Sequence, residues 1–536
     1  MEQDQMHDPA AEPTSLLRSY PVVLAVALVL LSVAVLLASR RQNKQTDQRL
    51  PPHVPHSIPF VGNAIRFGMD PVAFLQDCQK TYGDTFTFTM LGLLARRRMT
   101  FCLGDKGNHF VFNARLKEAT AEGAYLKLTR PVFGDQVIYD VPNSVFMEQK
   151  KFVKDALTTT AFRTYLPILT EEINGMILDE WADNSQFELF PMMAELTIRT
   201  ASACLMGREI REQLHSNVAK LFHDLDCGLT PLNVFVEYLP LPLFINRDRA
   251  NRELTELFLD IIKKRNAKAA ADLAAGLVPE KKYDVLETLM TSVYKAGEKM
   301  GDIAVAHMMI ALLMAGQHTS STTSTWMLFE LAGNPDVVQR LRQEQSQIRA
   351  PADLPNAPPS QYAPFTLESL KSCTLLDQVF KETLRMHPPI HTVMRLVEKD
   401  MQTPDGLTIP QGHFLCSGIT VGHYEASKFA DPLVFRPERH ALSAEESGEW
   451  TINGVDVAQK SARNHYLPFG AGRHRCIGEH FATIQNKTIV ATIINEFDLE
   501  LVDGHVPKSD FSKLIVLPVA GSQIRLKRRV FEKTEE

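Results

Sequence analysis

The sequence predicts a mainly α-helical fold with small β-sheets, preceded by a single membrane-spanning helix. Amphipathic segments with few glycines fill the middle of the chain, whereas the alternating runs typical of strands occur only before residue 104 and after residue 404. One long apolar stretch lies near the N-terminus. The chain has 536 residues, of which 45% are hydrophobic, so it can bury a large core. Its net charge of −6, without a long basic block, argues against nucleic acid as a partner.

The N-terminal region predicts a membrane anchor. Residues 1–19 are polar, and residues 20–38 (YPVVLAVALVLLSVAVLLA) are continuously apolar, close to the roughly 20 residues that span a bilayer. Three basic residues follow between positions 40 and 44, which places the tail 1–19 in the lumen and the rest of the chain in the cytosol. A cleaved signal peptide is the alternative, but its basic residues would precede a shorter apolar core. The prolines of 39–60 predict a stiff connector to a catalytic domain over 61–536.

The secondary structure of this domain follows from its periodicity. Thr85–Met90 (TFTFTM) alternates polar and apolar residues as a half-buried strand does, and residues 99–103 are its predicted partner. Asp405–Ser417 has the turn residues and alternation of a hairpin. The polar residues 442–463 predict a surface insertion. Helices are predicted over 149–180, 187–206, 208–226, 248–275, 302–332 and 366–386, and from Cys476 to about 496.

The seven cysteines predict a reducing compartment. They are scattered, odd in number and form no Cys-x-x-Cys pair, which is typical of free, inert thiols. Cys476 differs because it lies in Phe469–Gly478 (FGAGRHRCIG), among three glycines and three basic side chains. Glycines allow a sharp turn, and positive charge lowers the pKa of a thiol. One thiolate without further ligands suits haem iron better than zinc or an iron–sulfur cluster, although a lone cysteine is usually a small buried hydrophobe.

The spacing Phe-x-x-Gly-x-His-x-Cys-x-Gly in this stretch resembles the haem-binding loop of the cytochrome P450 superfamily. The resemblance implies the cytochrome P450 fold, in which a haem b lies between a long central helix and the cysteine-bearing loop. It also implies that the Cys476 thiolate is the axial ligand of the haem iron. His474, two residues earlier, would then face a haem propionate.

The predicted helix 302–332 has a polar interruption, Ala315–Ser320 (AGQHTS). A mid-helix glycine costs about 1 kcal/mol relative to alanine, and hydroxyl groups compete for backbone carbonyls, so a local opening is predicted. A solvent-facing or back-bonded polar patch is the alternative. The segment resembles the oxygen-activation segment of the superfamily, in which Thr319 matches the catalytic threonine. His318 stands where most members carry an acid.

A histidine can deliver protons in place of that acid because its pKa lies near neutral. The His318–Thr319 pair itself resembles one branch of the superfamily, the sterol 14α-demethylases. The same resemblance assigns Met314, Ala315 and His318 to the binding of substrate.

A charged triad is predicted near the cysteine loop. Glu382 and Arg385 lie three residues apart on one helix face, and Arg439 follows in FRPER. The Glu-x-x-Arg pattern alone occurs by chance, but its order before the cysteine loop resembles the Glu-Arg-Arg triad of the superfamily. The resemblance implies structural residues that pin the haem loop, and a buried charge persists only when it is paired.

Tyr125–Asn143 (YLKLTRPVFGDQVIYDVPN) is rich in aromatic and turn residues but has no regular period, so an ordinary loop is one interpretation. The segment also resembles the cavity-lining segment of the sterol 14α-demethylases. The resemblance implies that Phe133 lines the sterol cavity, and that Tyr125 and Tyr139 border both the sterol and the haem. Lys150 and Arg395 match further propionate partners. With His474, these residues supply five polar donors for two buried carboxylates.

The resemblance therefore implies a fungal-like sterol 14α-demethylase of the endoplasmic reticulum membrane. Its substrate would be a 14α-methyl sterol, oxidised three times with O2 and with electrons from NADPH. No nucleotide-phosphate loop is evident, so a separate reductase is expected, docking near Arg473 and Arg475. Azole inhibitors are expected ligands. The alternatives are another membrane-bound hydroxylase of lipophilic substrates, a haem-thiolate isomerase or peroxide-using enzyme, and a non-catalytic haem- or sterol-binding protein.

Overall fold

The computed structural model describes residues 49–56, 61–90, 97–181, 185–207, 210–211, 216–228, 230, 241–277, 284–354, 357–441 and 465–531. The predicted lumenal tail 1–19, the apolar span 20–38 and the insertion 442–463 lie outside these residues.

The described residues are mainly helical. The helices are α1 (Ala64–Met69), α2 (Pro71–Tyr82), α3 (Gly104–Phe112), α4 (Ala121–Phe133), α5 (Asn143–Ala156), α6 (Thr159–Asn174), α7 (Leu189–Met206), α8 (Ser216–Cys227), α9 (Pro242–Ala274), α10 (Val285–Thr291), α11 (Asp302–Gly333), α12 (Pro335–Arg349), α13 (Leu367–Ser372), α14 (Thr374–Met386), α15 (Ile419–His423) and α16 (Glu479–Glu496). The predicted class of a mainly α-helical protein with small sheets is therefore confirmed.

The strands are short. They are β1 (Thr85–Met90), β2 (Arg97–Cys102), β3 (Ala119–Thr120), β4 (Ser185–Glu188), β5 (Val393–Val397), β6 (Met401–Gln402), β7 (Thr408–Ile409), β8 (Phe414–Ser417), β9 (Phe497–Leu501), β10 (Ser509–Asp510), β11 (Leu517–Pro518) and β12 (Gln523–Arg528). The largest sheet has the order β1-β2-β8-β5-β3, in which β2 and β8 are parallel and the other pairs antiparallel.

Helix α11 forms the centre of the core. Among the described residues it is the one helix long and apolar enough to cross a membrane, but 67% of its most apolar window is buried inside the protein. It packs against α7, α9 and α16 and contributes twelve of its 32 residues to the main hydrophobic cluster. A helix that is apolar all round is stable only when it is surrounded, so α11 is a core helix.

Two long helices of the prediction are each interrupted. The predicted helix 149–180 divides into α5 and α6, because the Thr158 side chain accepts the Ala161 N–H (3.3 Å) and caps a new helix. The predicted helix 366–386 divides at Cys373, whose ψ of 78° is not helical, into α13 and α14. Seven helices were not predicted: α1, α2, α3, α4, α10, α12 and α15.

The predicted hairpin over Asp405–Ser417 is wrong. Strand β8 pairs with β2 and β5, while β7 pairs with β6. All residues of β8 are buried because it is an inner strand of the large sheet, and alternation does not describe such a strand.

The connector reaches the folded body before residue 61. Val54 is buried, its N–H donates to the Thr87 carbonyl (2.8 Å), and Thr87 N–H donates to the Pro52 carbonyl (2.8 Å). The described part of the predicted connector 39–60 therefore runs alongside β1 instead of standing free.

Candidate active site

The cysteine loop, defined as residues 465–478, makes a tight turn ahead of α16. Gly470 and Gly472 have φ values of 67° and 65°, and a Cβ built on Gly472 would lie 2.9 Å from the Phe112 carbonyl oxygen. The Cys476 N–H donates to the Phe469 carbonyl (3.0 Å), which closes the turn. Two of the three glycines thus provide the predicted conformational freedom, whereas Gly478 has an ordinary φ of −84°.

The Cys476 side chain is accessible although protein surrounds it, so its thiol opens onto internal space. Burial raises the pKa of this thiol above its ordinary value, while the Gly478 N–H and the charges of Lys150 and Arg475 act in the opposite direction. Arg475 thus lowers this pKa as predicted, and Lys150 does so as well, but burial outweighs them and the net shift is upward. A bound metal ion deprotonates a coordinating thiol outright, so metal binding would have to produce the thiolate that the basic neighbours alone do not.

The two arginines beside Cys476 bind within the protein. Arg475 Nη2 donates to Glu479 Oε1 (2.8 Å) and Arg475 Nη1 to the Gly470 carbonyl (2.8 Å), while Arg473 Nη2 donates to the Ala114 carbonyl. The charge of Arg475 is thus largely balanced by Glu479. These contacts weaken the prediction that Arg473 and Arg475 form a docking surface.

Glu382 is the centre of a charge cluster in which it and Arg385 are fully buried. It accepts hydrogen bonds from Arg385 Nε and Nη2 (both 2.9 Å) and from Arg439 Nε (2.8 Å). Two donors that sequence reasoning missed are His440 Nε2 (2.9 Å) and the Arg436 N–H (3.0 Å). Burial alone would raise the pKa of Glu382, but the bonds from Arg385 and His440 lower it to about 2. The structure thus places Glu382, Arg385 and Arg439 together, beside an unpredicted histidine.

The five predicted propionate donors lie in one connected cluster. The rings of Tyr125 and Tyr139 stack with centroids 5.3 Å apart, and the Tyr139 ring lies 6.3 Å from that of His474. The Tyr125 hydroxyl accepts the N–H of Met394, the residue before Arg395 (2.9 Å). Lys150 Nζ donates to the carbonyls that flank His474, those of Arg473 (2.7 Å) and Arg475 (2.6 Å). Lys150 therefore supports the cysteine loop directly, a contact that its sequence position did not predict.

This cluster has the chemistry of a carboxylate-binding site. Burial, together with the neighbouring charges of Arg395, Lys150 and Arg473, lowers the pKa of His474 to about 3. Its Nδ1 atom is buried without a hydrogen-bond partner among the described residues. Arg395 is buried and donates to the Met394 carbonyl, and no described carboxylate pairs with it. The two carboxylates of a haem b would fit this excess of buried donors and positive charge.

Helix α11 borders open space at the predicted oxygen-activation segment. Ala315 is exposed and Thr319 partly exposed, although most of the helix is buried. A Cβ built on Gly316 would meet no atom within 4 Å. The helix itself is continuous, and the Thr319 hydroxyl donates to the Ala315 carbonyl (2.8 Å). The predicted opening is therefore a space beside the helix, not a break in it.

The remaining predicted substrate contacts divide into two groups. Phe133, at the end of α4, is partly buried against the main core, whereas Met314 is 2% exposed and lies inside that core. His318 is also buried, and its Nε2 lies 3.3 Å from Asp226 Oδ1 on α8 without forming a hydrogen bond to any described residue. Burial lowers the pKa of His318, whereas Asp226 raises it. Asp226 was missed because no pattern around it marks the site.

The comparison with known proteins agrees with this geometry. The family model described as Cytochrome P450 matches residues 52–526, so the chain belongs to the cytochrome P450 family. A solved cyanobacterial CYP120A1 with bound retinoic acid has the same fold, with a TM-score of 0.71, 21% identity, and coverage of 90% of this chain and 99% of that chain. Family membership implies a haem with a cysteine thiolate ligand.

Within that family the chain belongs to the sterol 14α-demethylases. It is 40% identical to a lanosterol 14-alpha demethylase of Cunninghamella elegans over 515 residues, which cover 94% of this chain and 95% of that protein. The eburicol 14-alpha-demethylase of Uncinula necator is 40% identical over 518 residues, with coverage of 94% and 95%. The lanosterol 14-alpha demethylase of Mus musculus is 39% identical over 516 residues, with coverage of 96% and 95%. The predicted family is thus confirmed.

Proposed function

We propose that this cytochrome P450 removes the 14α-methyl group of a sterol such as lanosterol or 24-methylenedihydrolanosterol (eburicol). Three successive oxidations, each using one O2 and two electrons from NADPH, would convert the methyl to an alcohol, to an aldehyde and finally to released formate. The last oxidation would break the bond between C14 and the methyl carbon and leave a new 14,15 double bond in the sterol. The observation that carries the proposal is the near-full-length similarity to relatives from fungi and mammals that are all named sterol 14α-demethylases.

The haem site would be built by residues of this chain. The Cys476 sulfur would bind the iron, and Tyr125, Tyr139, Lys150, Arg395 and His474 would surround the propionates. When bound, the haem supplies the reduction of O2 and the oxidation of an unactivated C–H bond. The protein's share is to place the substrate and to manage protons.

Proton handling would fall to the exposed edge of α11. The Thr319 hydroxyl can hold a proton at Oγ1, beside the open space at Gly316. His318 can carry a proton at Nε2, where Asp226 would stabilise the charged form. Because Asp226 is 37% exposed, it would connect this histidine to solvent.

The sterol would occupy the space bordered by Ala315, Phe133, Tyr125 and Tyr139. Ala315 presents only a methyl group there, so a flat apolar ring system can approach the helix closely. An azole inhibitor is expected to compete for the same space, because its ring nitrogen can bind a haem iron. Met314 is buried in the core, and its proposed contact with substrate would require a movement of its side chain.

Electrons would come from NADPH through a separate reductase. Since Arg473 and Arg475 bind within the protein, we place the docking surface on α5. Two lysines are exposed there: Lys151, directly after the loop-binding Lys150, and Lys154, one turn further along the helix. Lysines at such a surface would attract an acidic flavodomain. Reversing both charges to glutamate should raise the KM for reductase while leaving reduction by dithionite unchanged; an unchanged KM would reject this surface.

The membrane arrangement follows from the N-terminal sequence. Residues 20–38 would cross the endoplasmic reticulum membrane once, with 1–19 in the lumen and the catalytic domain in the cytosol.

The decisive test is product analysis. The full chain is reconstituted with reductase, NADPH and lanosterol or eburicol, with Cys476→Ser as the inactive control. The expected products are a 14-demethylated sterol and one formate per sterol, and the reduced carbon-monoxide complex should absorb at about 450 nm. A hydroxylated sterol that keeps its 14α carbon would indicate another hydroxylase. Turnover with peroxide alone would indicate a peroxide-using enzyme, and sterol binding without turnover would indicate a binding protein.

A further inference from the structure

His423 links the Glu382 cluster to the cysteine loop. It closes α15 and its side chain is fully buried between the end of α14 and the start of the loop. Its Nδ1 lies 3.1 Å from the Arg385 carbonyl oxygen, and its Nε2 lies 3.1 Å from the backbone nitrogen of Leu467. Arg385 Nη1 in turn donates to the His423 carbonyl (2.9 Å). Each of the two residues thus binds the backbone carbonyl of the other through its side chain.

These partners allow only one form of the imidazole. A carbonyl oxygen only accepts hydrogen bonds, so Nδ1 must carry a hydrogen to donate to Arg385. A backbone N–H only donates, so Nε2 must be unprotonated to accept from Leu467. His423 is therefore neutral, with its hydrogen on Nδ1. Burial lowers the pKa of His423 to about 3, which agrees with this neutral form.

Leu467 is linked to Cys476 through backbone hydrogen bonds of the cysteine loop. Leu467 is fully buried, and its carbonyl accepts the Gly470 N–H (3.0 Å), which sets the turn. Phe469, inside that turn, accepts the Cys476 N–H (3.0 Å). Two successive backbone bonds thus lie between the histidine contact and the cysteine.

The Glu382 cluster has no shorter hydrogen-bonded route to this loop. Among the described residues, the side chains of Glu382, Arg385 and Arg439 form no hydrogen bond to residues 465–478. The Tyr466 hydroxyl bonds to α14 at the Lys381 carbonyl (3.0 Å), outside the cluster. A triad that pins the haem loop must therefore act through an intermediate. Of the two histidines beside the loop, His440 packs against the Tyr466 ring (centroids 5.4 Å apart), whereas His423 accepts a hydrogen bond from the loop backbone.

We infer that His423 is that intermediate, a positioning residue that transmits the fixed geometry of Arg385 to Leu467 and so to Cys476. The inference rests on the proposed haem site and adds a residue to it. Each ring nitrogen has its own role: Nε2 accepts the hydrogen bond that holds the loop, and Nδ1 donates the hydrogen bond that holds the histidine in place.

Two amide substitutions separate these roles. In His423→Gln the side-chain carbonyl can reach the Nε2 position and accept the Leu467 N–H. In His423→Asn the shorter amide reaches only the Nδ1 position, so it can donate to Arg385 but leaves the Leu467 N–H without an acceptor. Tyr466→Phe is the control, because it removes a loop-to-α14 hydrogen bond next to Leu467 but keeps the ring that packs against His423 (centroids 5.4 Å apart).

The readouts are the rate of haem transfer to apomyoglobin and the fraction of the carbon-monoxide complex that absorbs at about 420 nm instead of about 450 nm. His423→Asn should raise the transfer rate about tenfold, equivalent to about 1.4 kcal/mol, and increase the 420 nm fraction. His423→Gln and Tyr466→Phe should stay within about twofold of wild type.

Equal behaviour of the Asn and Gln variants, including equal loss of the folded protein, would overturn the inference while leaving the proposed function intact. A wild-type chain without a band near 450 nm would overturn the proposed function and this inference with it.

Discussion

The imidazole of His318 and the carboxylate of Asp226 face each other across two helices, with Nε2 and Oδ1 3.3 Å apart. The histidine lies on α11 and is buried, whereas the aspartate lies at the end of α8 and is 37% exposed. A buried base beside a solvent-connected acid is the arrangement that a proton pathway needs.

Replacing this aspartate should change the pH dependence of turnover. Burial, Lys513 and His223 lower the pKa of His318, and Asp226 is the group that raises it. In Asp226→Asn the pKa of His318 should therefore fall further, so the loss of activity with rising pH should begin at lower pH. Turnover near neutral pH should fall roughly tenfold, less than the 10²–10⁴ that full acid–base catalysis contributes.

The measurement is kcat against pH with a constant supply of reductase. Asp224→Asn is the matched control, because Asp224 lies on the same helix but pairs with Arg249 (3.1 Å). A pH profile of Asp226→Asn that coincides with that of the control would contradict the proposed pathway.

Loss of Arg385 should abolish haem retention. Arg385→Ala leaves the fully buried Glu382 without its two-pronged partner, which costs about 3–5 kcal/mol. The haem-to-protein ratio and the urea midpoint should both fall. Arg340→Ala, which removes an exposed pair with Glu438, should change stability by about 0–1 kcal/mol. Full haem content in Arg385→Ala would show that the cluster does not support the loop.

Gly472→Ala should destabilise the cysteine loop. An L-residue at φ 65° costs about 1–2 kcal/mol, and the added methyl would also press on the Phe112 carbonyl oxygen at 2.9 Å. Gly504→Ala isolates the first effect, because Gly504 has φ 70° but open space around it. Denaturant unfolding should show the larger loss for Gly472→Ala, accompanied by a carbon-monoxide band near 420 nm. Equal losses in both variants would exclude the steric contact as a cause.

Lys150→Ala should loosen haem binding, whereas Lys151→Ala should not. Lys150 Nζ bonds two carbonyls of the cysteine loop, while the adjacent Lys151 is exposed. Because two charge-assisted bonds are lost, haem dissociation should accelerate about tenfold or more in Lys150→Ala. Indistinguishable dissociation rates for the two variants would remove Lys150 from the site.

The parts of the site that could be predicted from the sequence are those whose residues form short sequence motifs. The loop around Cys476 and the Glu382–Arg385 pair each occupy a few consecutive residues, so their contacts are largely local. The convergence of Tyr125, Tyr139 and Arg395 with the loop agrees with the resemblance, and their roles toward a propionate stay predictions.

What could not be predicted depends on packing between distant segments. Asp226 is an ordinary surface acid until α8 lies against α11, and His423 acquires its partners only when α14, α15 and the loop meet. The pKa of Cys476 is raised and not lowered overall, because burial outweighs the neighbouring positive charges. The residues adjacent in sequence do not show how deeply the thiol is buried. Helix α4 was obscured by Pro131, which lies inside the helix and cannot donate a backbone N–H there.

The parallel pairing of β2 with β8 has a consequence for biosynthesis. The Thr100 hydroxyl bonds the His413 ring, 313 residues later, at 2.9 Å. At about 5–20 residues per second, a ribosome needs roughly 15–60 s to make the intervening chain. The N-terminal β1–β2 hairpin must therefore wait with one edge unpaired until nearly four fifths of the polypeptide has been made. Because Cys476 emerges later still, the sheet can close before the haem ligand is available, and haem insertion would be one of the last steps of maturation.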